Sequence, residues 1–127
     1  MDEETFKERT RRLALRVMVL VENLPDTRSA DVIARQILRS ATSIGANYRA
    51  ACRAKSTADM IAKLKIVEEE SDETMYWLEL LAEGKSIPHE EVTGLMKDTD
   101  EILAMTVASI KTLRTRLPKR SSAKLKS

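Results

Sequence analysis

The residues best suited to chemistry in this chain are an acidic run (Glu68, Glu69, Glu70, Asp72 and Glu73), a single histidine, His89, and a single cysteine, Cys52. Clustered carboxylates on a helix suggest a di-metal centre. In helical bundles, that site takes a Glu-x-x-His motif from each of two helices. One histidine cannot supply the motif twice, so no metal site is expected. Cys52 has no histidine placed to activate it and reads as a small packing residue. The chain has no nucleophile elbow, phosphate-binding loop or dinucleotide fingerprint. The expectation is therefore no catalytic residue, no metal ligand and no cofactor, in a protein that is not an enzyme.

Two other groups of polar residues are candidates for interaction. Gln36, Ser40, Ser43 and Asn47 recur at spacings of four, three and four, which draws a polar stripe along one helix. Arg39 on the same helix, and Glu70, Glu73 and Trp77 along the apolar seam of the next, are grouped with it as structural or subunit-seam residues. The stripe reads either as a ligand site or as polar groups satisfied within a core or at a subunit seam. Glu70 and Glu73 flank an apolar repeat, so partial burial and pairing with Arg35 or Arg39 are expected. The second group is basic: Arg114 and Arg116, then Lys119, Arg120, Lys124 and Lys126 with no acid among them after Pro118. If nucleic acid is bound, these cations are the expected contact, because phosphate charge dominates such binding. A solubilising tail with no partner is the alternative.

The elements that must position these groups are legible as apolar repeats. Helix 1, expected from about Asp2 to Asn23, carries Phe6, Leu13, Val17, Leu20 and Leu24 on one face. Leu15, Met18, Val19 and Val21 lie off that face. They imply either a wide core face or a second face buried against another subunit. Leu24-Pro25 stops the helix. Helix 2, about Ala30 to Ala54 with Thr27 or Ser29 as cap, packs Ile33, Ile37, Ala41, Ile44, Tyr48 and Ala51. Its Gly45 costs about 1 kcal/mol relative to Ala, so close packing there is expected to offset it.

Ser56 and Asp59 resemble a capping box opening helix 3, from about Thr57 to Glu83. Met60, Leu64, Val67, Ser71, Thr74, Leu78 and Leu81 alternate steps of four and three, the seam of an antiparallel bundle. Gly84 is expected to end it in a left-handed conformation. Pro88 fits the first turn of helix 4, whose apolar repeat runs Val92, Leu95, Thr99, Ile102, Thr106, Ile110, Leu113 and Leu117. Short connections force antiparallel neighbours. The expected fold is all-α, an antiparallel up-down-up-down four-helix bundle over residues 1–117, with a disordered basic tail at 118–127.

Composition agrees. A chain of 127 residues with 43% apolar and 33% charged residues, three Gly and three Pro fits one helical domain. The longest apolar run, Leu13 to Val21, is interrupted by Arg16 and falls short of the ~20 residues a bilayer needs. The acidic start, Asp2-Glu3-Glu4, does not look like a signal peptide. One cysteine fits a reducing compartment. A cytoplasmic location without membrane contact is expected. Charge is segregated: six basic residues against Asp31 from Arg28 to Lys55, and eight acids against Lys63 and Lys65 from Thr57 to Glu83.

The stretch Gln36-Ile-Leu-Arg-Ser-Ala-Thr-Ser-Ile-Gly-Ala-Asn47, then Ala50-Ala51, Ile61, Lys63-Leu64, and Glu70 through Glu73-Thr-Met-Tyr-Trp-Leu-Glu-Leu-Leu81, resembles a known family. It is the four-helix-bundle family of ribosomal RNA intervening sequences, and the resemblance covers about residues 6 to 116. It implies a ring-like homopentamer of four-helix protomers. A relative, the accessory variability determinant protein of diversity-generating retroelements, is a basic ring of this kind that binds nucleic acid and a reverse transcriptase. The resemblance implies a non-enzymatic oligomeric scaffold or adaptor with a protein or RNA partner. The alternative is a nucleic-acid-binding accessory protein using basic groups collected on the ring.

Overall fold

Each helix begins where a side chain or a proline can satisfy or remove the free N–H groups of its first turn. In the computed structural model, which describes residues 2–118, α1 spans Glu3–Glu22, α2 Arg28–Cys52, α3 Thr57–Glu83 and α4 His89–Arg114. Asp2 Oδ1 accepts from the Thr5 N–H at 2.7 Å and Thr27 Oγ1 from the Ala30 N–H at 3.2 Å, opening α1 and α2. Ser56 Oγ accepts from the Asp59 N–H, while Asp59 Oδ2 accepts from the Lys55 N–H. The reciprocal bond of the box therefore lands one residue before the cap. Pro88 caps α4 without a side-chain bond, and Glu90 and Glu91 stand in its first turn.

The end of α3 differs from expectation. Gly84 is right-handed at φ −77°, and Lys85 takes the left-handed conformation at φ 57°. The Ser86 N–H reaches back to the Leu81 carbonyl at 3.1 Å, which makes Lys85 the left-handed residue of a Schellman-type ending. Gly84 is small for another reason: a Cβ there would sit 2.9 Å from the Leu80 carbonyl oxygen. α2 also starts and stops two residues earlier than expected, α4 starts after Pro88 rather than on it, and Ile61 rather than Met60 is the buried first position of α3.

The four helices pack as a square in chain order. Each packs against its sequence neighbours and α1 closes against α4, the loosest of the four seams; the backbones of diagonal pairs stay apart among the described residues. This is the antiparallel up-down-up-down bundle. Leu13, Val17 and Leu20 from α1, Ile37 and Ile44 from α2, Leu64, Val67, Leu78 and Leu81 from α3, and Val92, Leu95 and Ile102 from α4 fill the core.

Six hydroxyls lie in that core: Thr10, Ser40, Ser71, Thr74, Thr99 and Thr106. Each bonds a carbonyl three or four residues earlier in its own helix, at 2.7 to 3.3 Å. This back-bonding lets a helix bury Ser or Thr without a partner on another helix. One link crosses between helices: the Ser40 and Thr74 hydroxyls lie 2.9 Å apart at the centre of the α2–α3 seam. At Gly45 the backbone of α2 approaches α1, and a Cβ would sit 3.2 Å from Thr10 Oγ1. Close approach to Thr10 is what the glycine permits.

Candidate functional site

The polar groups expected to share a seam divide between buried and outer positions on α2 and α3. Above the buried Ser40–Thr74 link, the Arg39 guanidinium contacts Glu73 and lies 3.8 Å from Glu70. Trp77 Nε1 donates to Glu73 Oε2 at 3.1 Å, and Gln36 Oε1 accepts a long 3.5 Å bond from Arg39. Arg39, Glu70, Glu73 and Trp77 thus form one connected group across two helices, with Gln36 at its edge and Ser40 beneath it bonded to Thr74. Arg35 is not part of it; it pairs with Asp31 on its own helix at 2.8 Å.

Burial raises the Glu70 carboxyl above its ordinary value, the Glu73 and Glu69 charges add to the rise, and Arg39 opposes it. Arg39 faces Glu73 and, at 3.8 Å, Glu70, so the cluster links α2 to α3. Ser43 and Asn47 stand apart. Asn47 Nδ2 donates to the Ser43 carbonyl at 2.9 Å along α2, and both side chains are half-buried.

The residues first considered for chemistry do not converge. No group of three His, Cys, Asp or Glu side chains among the described residues could hold a metal. His89 is exposed in the first turn of α4. Cys52 is half-buried at the end of α2, and burial raises its thiol above the ordinary value, away from the reactive thiolate. The neighbouring Tyr48, stacked on Phe6 with ring centroids 4.2 Å apart, is raised too, chiefly by burial. No described helix is long and apolar enough to cross a membrane.

Of the basic group expected to meet nucleic acid, Arg114 and Arg116 are exposed at the end of α4. Lys119, Arg120, Lys124 and Lys126 lie outside the described residues.

Two of the open surfaces are suited to a partner. On α1, Leu15, Met18 and Val19 are 53%, 47% and 64% exposed and form one patch at spacings of three and four. The patch borders a groove of about 620 Å³ along the α1–α4 seam, where Leu20, Ile87, Pro88 and Leu95 continue the apolar surface. Two ion pairs two turns apart on one face of α1 cross this seam, Arg9 with Glu101 and Arg16 with Asp98. The second surface, about 860 Å³, lies at the α2–α3 turn, where Arg49, Arg53, Lys55 and Lys63 surround a floor containing Ala46 and Ala50. Sequence reasoning noted the charge of α2 but did not single out this groove. The available signal was Arg49 and Arg53 one helical turn apart, followed across a short connection by Lys55 and Lys63.

The chain was compared with known proteins. None of the curated proteins matches it. Among solved structures it is similar to a protein of unknown function from the S23 ribosomal protein family of Bacteroides thetaiotaomicron. The two share 40% identity with a TM-score of 0.78, over 84% of this chain and 98% of that one. The family model described as 23S rRNA-intervening sequence protein matches residues 3–108. With that match spanning most of the bundle, the chain belongs to the 23S rRNA-intervening sequence protein family.

Proposed function

We propose that the protein is a non-enzymatic scaffold or adaptor that acts as a homo-oligomer, a ring of five in the reading the family resemblance favours. The observation that carries this is the apolar patch of Leu15, Met18 and Val19 on the outer side of α1. The core is complete without these three side chains, so their exposure has no use within the protomer, and a monomer gains nothing from leaving them in water. The half-buried Ser43 and Asn47 are proposed as part of a subunit seam, since neither bonds to another helix of its own protomer. A cytoplasmic setting belongs to the same proposal. Sedimentation of the purified protein at micromolar concentration tests it: assembly above the protomer mass supports the reading, and a monomer removes it.

A second reading, nucleic-acid binding through the basic C-terminal segment, draws on the exposed Arg114 and Arg116 at the end of α4. Lys119, Arg120, Lys124 and Lys126 follow them in sequence. Several such segments on one oligomer bind by avidity even when each is weak. Deleting residues 118–127 and titrating a mixed RNA oligomer at low salt tests this reading. Equal binding by both forms would move the contact elsewhere.

A further inference from the structure

We infer that the groove at the α2–α3 turn is a binding site for a chain of phosphates. Arg49 stands in the last turn of α2 and Arg53 caps its C-terminus, Lys55 lies in the connection, and Lys63 approaches from the second turn of α3. Arg49, Arg53 and Lys55 are exposed and Lys63 is half-buried. None of the four is ion-paired to a described residue. That sets them apart from Arg9, Arg16, Arg35 and Arg39, which all have carboxylate partners.

The one acid lining the groove, Asp59, accepts from the Lys55 N–H as part of the α3 cap. The groove therefore gathers four like charges against a single carboxylate that is already engaged. Such an arrangement raises the cost of folding through self-repulsion, and an anionic ligand relieves it.

The lining argues for a contact to the phosphate backbone rather than to a stacked base. Ala46 and Ala50 lie between the cations, and among the described residues no aromatic ring lines the groove to give a base a platform on which to stack. What remains is charge arranged along a groove, which recognises a backbone of regularly spaced phosphates without reading sequence. This inference is independent of the C-terminal segment and goes beyond the scaffold reading, because it places the contact on the bundle itself. The up-down topology nonetheless puts the groove at the same end of the bundle as Arg114 and Arg116.

The test uses the full chain and two probes, a labelled single-stranded RNA of mixed sequence and inorganic polyphosphate, with polyglutamate as a third. Wild type is compared with an Arg49→Gln/Arg53→Gln/Lys63→Gln variant and with the single reversal Arg53→Glu, each checked for an unchanged helical melt. Arg53→Glu stands in should the triple variant fold poorly. A Lys97→Gln/Lys111→Gln variant on α4, which lowers the net charge by two as Arg53→Glu does, serves as the charge-matched control for that reversal.

The expected result is at least a tenfold loss of affinity for a phosphate chain in the groove variants, with little change in the control. For RNA the salt slope should fall by about 0.7 for each phosphate contact removed. Loss for RNA alone identifies a nucleic-acid strand as the source of the phosphates, and loss for both probes a phosphate chain in general. Groove variants that bind as wild type does, a wild type that binds neither phosphate probe, or tighter binding to polyglutamate than to either would each overturn the inference.

Discussion

The Ser40–Thr74 pair shows how this core tolerates polar side chains. Ser40 donates to the Ile37 carbonyl and accepts from Thr74, whose one proton is shared between Ser40 Oγ and the Glu70 carbonyl, so neither hydroxyl is left unsatisfied. Thr74→Val preserves shape and removes the cross-helix link, and should cost about 1 kcal/mol in urea unfolding at fixed protein concentration. A Ser40→Ala/Thr74→Val double variant should lose less than the sum of the singles, because the pair is then removed from both sides.

Glu70 gives a pH-dependent test. Its carboxyl is raised in the folded state, first by burial. A raised acid favours folding while protonated: the contribution is full below the ordinary glutamate value and disappears as pH rises through the folded value. At neutral pH the buried charge works against the fold. Glu70→Gln should therefore raise the melting temperature at pH 7 and leave it nearly unchanged around pH 4. Arg39 keeps its contact with Glu73 in that variant. A lower melting temperature at pH 7 would mean that the Arg39 contact outweighs the burial.

At the level of elements, the apolar repeats gave the helices and their core faces, since a step of three and four leaves little freedom about which side turns inward. On α4, Val92, Leu95, Thr99, Ile102, Thr106, Ile110 and Leu113 are all buried where the repeat places them. Helix ends were less legible. Gly84 looked like the left-handed residue by type alone, whereas the backbone gives that role to Lys85 and uses Gly84 for close approach to the Leu80 carbonyl. Residue type records that a glycine is needed but not which of its two freedoms is used. Lys85→Gly should relieve the left-handed strain and stabilise by about 1 kcal/mol, measured by thermal or urea unfolding.

Gly45 was legible as a packing position without its partner, because Thr10 is distant in sequence. A Cβ at Gly45 meets Thr10 Oγ1 at 3.2 Å, so Gly45→Ala sets a gain in helix propensity against a tight contact. Gly45→Leu has no such offset and should destabilise by about 2 kcal/mol or more by forcing α1 and α2 apart. A melting temperature equal to wild type would show that α1 is free to move outward. The groove at the α2–α3 turn was illegible for a related reason: sequence gives the four charges, but only the turn geometry shows that they share a cavity and that Asp59 bonds the Lys55 N–H there.

At the scale of the whole molecule, the bundle satisfies its own core and still leaves Leu15, Met18 and Val19 facing outward beside an apolar groove. Self-assembly through that face is the central claim. It predicts that the face matters for association and little for the protomer's fold, since these side chains lie outside the core. The direct measurement is sedimentation or light scattering at micromolar concentration of wild type beside a Leu15→Glu/Val19→Glu variant. Wild type should run at a several-fold multiple of the 14.3 kDa protomer, a five-fold multiple in the ring reading, and the variant should fall to the protomer mass with its helical content intact. A wild type that already runs at 14.3 kDa, or a variant that keeps the wild-type mass, would contradict the account.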